Sequence, residues 1–126
     1  MTQENKELLL KDLSARFSYH PYIYGKQDYA YNTGRLTAIF SSGIHILTDG
    51  GSLFGYMLDN DIIKPYLRPM SSMTNKERKE SNKINLPYGE RITAYFDFLN
   101  SHHFDYRGLI EKGLALEATE GMYKFD

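Results

Sequence analysis

The chain has 126 residues, enough for one domain with a single core and too few for two independent ones. Fifteen basic against sixteen acidic residues leave a formal charge of -1, which removes a general electrostatic pull towards nucleic acid. The lack of cysteine excludes disulfides, thiolate metal sites and thiol nucleophiles.

The N-terminus, MTQENKELLLKD, has neither the basic nor the apolar region of a signal peptide, and no apolar run approaches a membrane span. These features point to a soluble cytoplasmic protein with no membrane partner. Residues 4–17, ENKELLLKDLSARF, read as a helix: Leu9, Leu10, Leu13 and Phe17 recur at helical spacing with no Gly or Pro among them. Glu4 and Glu7 at its start and Arg16 at its end suit the helix dipole.

From Tyr19 the composition changes. Tyr, Ile, Thr and Phe dominate, broken by glycines at 25, 34, 43, 50, 51 and 55. This predicts strands near 21–24, 28–31, 35–40, 43–48 and 53–57, paired as an antiparallel meander. Asn32-Thr33-Gly34, Ser41-Ser42-Gly43 and Asp49-Gly50 are the expected hairpin turns. Eleven tyrosines fit either a half-buried sheet or an aromatic ligand surface.

The segment KPYLRPMSSMT (64–74) must be extended, since Pro65 and Pro69 each disfavour a helical residue before them. It is a rigid joint or a displayed recognition peptide. In the joint reading Tyr66 or Leu67 anchors it on the core. Arg68 then binds a nearby carboxylate or helix C-terminus; in the other reading it faces a partner. Thr74 with Glu77 forms a capping box, so a charged, solvated helix should follow. In RITAYFDFLNS, Ile92, Tyr95, Phe96 and Leu99 form an i, i+3, i+4, i+7 stripe, which predicts a core helix over 91–100. FDYRGLIEKGLALEA (104–118) reads as a weaker helix capped by Asp105, and TEGMYKFD (119–126) as a tail or edge strand.

No motif specifies a chemistry. His102, His103 and Asp105 are the nearest approach to a metal cluster, but zinc needs converging ligands and adjacent helical residues diverge. Asp49, Asp59 and Asp61 lack the spacing of a calcium loop, and no phosphate loop or G-x-S-x-G is present. No catalytic residue, metal or cofactor is expected. Lys64, Arg68, Lys76, Arg78, Lys79 and Lys83 gather around Tyr66, as a phosphate or RNA contact surface would, but Glu77 and Glu80 offset them as in a solvated helix.

LLLKDLSAR (8–16), KPYLRPMSSMT (64–74) and FDYRGLIEKGLALEATEGMYK (104–124) are similar to segments of a group of small proteins of gut Bacteroidales, commonly carried by prophages and mobile elements. The resemblance covers roughly a third of the chain and leaves the strands at 20–60 unmatched. It implies a bacterial or phage cytoplasm, and no activity, cofactor or substrate.

The expected fold is therefore a single α+β domain over 1–126: an N-terminal helix, a small antiparallel sheet curled as an SH3-like partial barrel, and C-terminal helices. The expected function is a non-enzymatic protein-interaction module or accessory protein of a bacterial mobile element. The alternative is a small RNA- or DNA-binding protein using residues 64–83. Tyr66, Arg68, Arg78, Tyr106 and Arg107 are the candidate binding residues.

Overall fold

A computed structural model describes residues 2–59 and 62–124. Helix α1 (Gln3–Arg16) starts at Thr2, whose hydroxyl accepts from the Asn5 N–H, and ends in a short 3-10 turn. An antiparallel meander follows as expected, but with four strands rather than five, because the strands expected at 28–31 and 35–40 are one: β1 (Tyr22–Gln27), β2 (Ala30–Ile39), β3 (Gly43–Leu47) and β4 (Leu53–Met57). β5 (Ile63–Leu67) returns to lie antiparallel beside β1, and the two-residue β6 (Leu116–Glu117) adds in parallel. The spatial order is β4-β3-β2-β1-β5-β6. The sheet is open, so the expected SH3-like closure does not occur: β4 and β6 are two separate edges.

Turn chemistry explains one correction. Asn32-Thr33-Gly34 is not a hairpin turn but the middle of the ten-residue β2. A Cβ on Gly34 would lie 2.6 Å from the Leu47 carbonyl oxygen, so this glycine permits close strand packing. The real β1–β2 turn is Asp28-Tyr29, with Asp28 at φ 56°, a left-handed conformation that a short polar side chain tolerates.

The core lies on one face of the sheet. Leu9 and Leu13 of α1 pack on Ile23, Leu36, Ile44, Ile46, Tyr56 and Ile63. Towards β6, Leu67 continues the core against Leu109, Leu114 and Ala115. Among the described residues the other sheet face carries no helix.

Of the proline-bracketed segment 64–74, residues 64–67 are extended as predicted and belong to β5, whereas Met70–Ser72 wind into a 3-10 turn. Register places the Pro65 nitrogen on the side away from β1, where no ladder donor is lost. At the next position the strands part. There the Tyr22 N–H donates to the Tyr123 hydroxyl (2.7 Å), which donates to the Tyr66 carbonyl (2.8 Å). A 3-10 turn (Met70–Ser72) leads to α2 (Asn75–Asn82), opened by the full capping box of Thr74 and Glu77.

Helix α3 (Tyr88–Ser101) contains the predicted stripe, but only part of it is buried. Leu99 is 1% exposed, whereas Ile92 and Phe96 are 40% and 43% exposed. The helix projects, so only its last turns reach the core, and Phe96 rests on Tyr106 (ring centroids 5.2 Å). Leu99→Ala should cost about 2–5 kcal/mol and Phe96→Ala about 1 kcal/mol or less in denaturant melts. Equal losses would mean that the whole stripe is core.

The helix expected over 104–118 is absent. Asp105 instead caps a tight turn, accepting from the Leu109 and Ile110 N–H groups at 2.9 and 3.0 Å. Of the two expectations for 119–126, a tail or an edge strand, residues 119–124 follow the first, in turns and irregular structure; the edge strand is β6 just before them, and 125 and 126 lie outside the described residues.

Candidate functional site

Three surface features compete as the site. The first is a cleft of about 790 Å³ between the 68–80 segment and residues 117–123. Its central side chain is Arg68. The guanidinium forms a two-pronged pair with Glu77, both bonds 2.7 Å, and lies 4.2 Å from the centroid of the Phe104 ring. Its backbone is tied as well: the Arg68 N–H donates to His103 and its carbonyl accepts from Asp105. Arg68 thus fastens the joint to α2 and to the 103–105 segment. The same pair holds the Glu77 carboxyl at about 2, chiefly through the Arg68 hydrogen bonds, with partial burial opposing.

Arg68→Ala should lower the thermal midpoint by leaving Glu77 without its cation. The midpoint should also lose part of its dependence on acid. Glu77 stabilises the fold above its unfolded value of about 4.5, and this is lost as pH falls through about 2. An unchanged midpoint and acid profile would show that Arg68 is not a structural tie.

The other predicted site residues have mostly internal duties. Tyr66 is half-buried and holds Tyr123 through its carbonyl. The Tyr106 hydroxyl donates to Asn100, and its ring centroid lies 5.3 Å from the Arg16 guanidinium and 4.6 Å from that of Arg107. Arg107 donates to Asp12 at 2.8 Å. Arg78 is exposed on α2. Four of the five thus have an internal partner, and Arg78 is the exposed one among them.

Nor is the cleft suited to phosphate. With Arg68 neutralised by Glu77, its remaining charges are Lys76 against Glu80, Glu117 and Glu120. The two adjacent histidines point to different neighbours: His102 stacks on Phe98 (4.2 Å) and His103 on Tyr123 (3.8 Å). Burial, aided by the positive charges of Arg16 and Arg35, pushes His103 down to about 3. Burial pushes the Tyr123 hydroxyl up. Among the described residues no three His, Asp or Glu side chains converge as a metal site would require. Asp49 lies in the β3–β4 turn, and Asp61 is outside the described residues.

The second feature is the open sheet face. Tyr24 and Tyr31 stack there (6.1 Å), and the Arg35 guanidinium covers the Tyr22 ring (4.3 Å). These tyrosine rings lie on one another or under a cation.

The third is the free edge of β4. The Thr48 N–H donates to Ser52 and the Leu58 N–H to Ser42, so the even-numbered residues of β4 bond β3. Leu53, Gly55 and Met57 consequently turn their N–H and C=O groups outwards. Leu53 and Met57 are 61% and 67% exposed, and Leu47 beside them is also exposed. Residues 50–58 carry no charge and no proline. Natural edges are usually blunted by lysine, proline or a bulge; this one has none of them. LFGYM was visible as a strand, but its place at the edge depends on β5 pairing with β1 rather than with β4, which local sequence does not encode.

Neither a family model, nor a curated protein, nor a solved structure matches the chain. Among the described residues, no helix is long and apolar enough to cross a membrane.

Proposed function

We propose that this protein is a non-enzymatic protein-interaction module of the cytoplasm whose contact surface is the free edge of β4 with the apolar side chains beside it. The observation that carries this reading is the outward row of backbone donors and acceptors at Leu53, Gly55 and Met57, flanked by exposed Leu47, Leu53 and Met57. Such an edge binds by strand addition: main-chain hydrogen bonds supply affinity and alternate side chains supply selectivity. A role as accessory protein of a mobile element rests on the resemblance alone. The nucleic-acid alternative would need the 64–83 cations, and there Arg68 is held by Glu77 beside further carboxylates.

The test places a photo-cross-linking amino acid at position 53 and, separately, at position 78 in cells making the protein. Discrete cross-linked protein species from 53 and not from 78 support the reading. No protein adduct from 53, or a salt-sensitive shift on single-stranded nucleic acid that is lost in K76A/R78A/K79A, overturns it.

A further inference from the structure

We infer that the occupant of the β4 edge is a second copy of this chain, paired antiparallel about a two-fold axis at Gly55. The inference rests on the reading of β4 as the contact surface and names its partner.

In an antiparallel pair, residues that exchange hydrogen bonds face each other. The outward-turned residues of β4 are 53, 55 and 57, spaced symmetrically about Gly55. Turning a second copy about that centre sets Leu53 opposite Met57 of the second copy, Gly55 opposite Gly55, and Met57 opposite Leu53. Each of these pairs is of the kind that exchanges two bonds, so every outward donor meets an acceptor.

The side chains agree with this register. Leu53 and Met57 are comparably exposed and lie on the same open sheet face, so the two copies would bring four apolar side chains into two cross-strand pairs. Between them, Gly55 adds no bulk at the axis. The His45 ring lies over that glycine, since a Cβ there would be 3.2 Å from it. Exposed Leu47, next to Leu53 in register, extends the apolar strip.

Closure also favours a dimer over an open array. A two-fold contact uses the same strand of both chains and leaves no β4 edge free. The opposite edge, β6, has only two residues, too few to continue a sheet. Five residues per strand make a small interface, at the weak end of specific association. The dimer should therefore have a Kd on the order of micromolar or weaker.

The experiment is sedimentation of the purified full chain over a concentration series, with two variants. One carries L53K/M57K and the other L53E/M57E; both positions are solvent-exposed, and circular dichroism melts establish folding. The expected result is a concentration-dependent wild-type dimer, with each variant at least tenfold weaker alone. An equimolar mixture of the two should restore the dimer, because the register puts lysines opposite glutamates. A wild-type chain that stays monomeric, variants that dimerise like wild type, or folded variants that fail to complement would each overturn the inference. If the chain is monomeric but position 53 still cross-links to a different protein, the inference falls and the interaction-module reading stands. If position 53 yields no adduct either, both fall.

Discussion

Asp12→Ala should destabilise the protein by about 3–5 kcal/mol, one of the largest losses of any single substitution. Asp12 is fully buried on α1 and receives two guanidiniums: Arg16 Nε at 2.9 Å and Arg107 at 2.8 Å. Arg16 is itself fully buried, and its second nitrogen donates to the Phe104 carbonyl at 2.6 Å. Its remaining nitrogen has no hydrogen bond among the described residues, so the charge depends on Asp12. Alanine would leave Arg16 in the core without a counter-charge and would free Arg107. The loss exceeds that of a surface ion pair because desolvation has already been incurred on both sides. The same cluster joins α1 to the 104–107 segment, so local order at the C-terminal side should fall with it. Urea melts of Asp12→Ala and Asp12→Asn measure this, with Asn expected to lose less because it keeps an acceptor. A loss below about 1 kcal/mol for alanine would show that the arginines find other partners.

The second large effect is on acid stability. His103 is buried, at φ 62°, with its ring flat against Tyr123. Its folded value is about 3 against 6.5 for the free side chain. Below pH 6.5 the unfolded chain takes up a proton that the folded chain refuses. The contribution of His103 is thus complete above pH 6.5 and is lost as pH falls towards about 3. Within that window the slope approaches about 1.4 kcal/mol per pH unit. Glu77 adds its own loss only below about 4.5. The interval between 6.5 and 4.5 therefore separates the loss due to His103 from that due to Glu77. His103→Asn keeps a residue that tolerates positive φ and removes the titration. The variant should be less stable at pH 7, yet lose much less of that stability at pH 5. A wild-type slope retained in the variant would place the titrating group elsewhere.

Elements whose signal is local were legible in the sequence. The Thr74–Glu77 capping box, the extended Pro65–Pro69 segment, the Asp49-Gly50 turn and the leucine face of α1 each depend on residues within a few positions. Readings that needed tertiary context were less reliable. Gly34 looked like a turn residue but serves strand packing against Leu47. Ile92 and Phe96 have helical spacing, yet periodicity cannot say how far a helix projects past the core. Asp105 has capping chemistry but closes a turn, because Gly108 and Gly113 sit at positive φ and stop a helix from propagating. Among the site candidates, the sequence admits Arg68 as an internal tie or as a displayed side chain, and its pair with Glu77 makes it the tie. The inward duties of Tyr106 and Arg107 follow from Asp12, ninety-five positions from Arg107, and from Asn100. Uncharged LFGYM reads as a strand, and only the sheet order makes it an edge.

Residue-resolved amide hydrogen exchange across β4, followed over protein concentration, reads the free edge one amide at a time. At low concentration Phe54 and Tyr56, bonded to β3, should be protected, while Leu53, Gly55 and Met57 exchange freely. As concentration rises, protection should appear at 53, 55 and 57 together, erasing the alternation. Amides at 53, 55 and 57 that exchange freely at every concentration, in the purified chain and in a lysate of the cells that make it, would contradict the account.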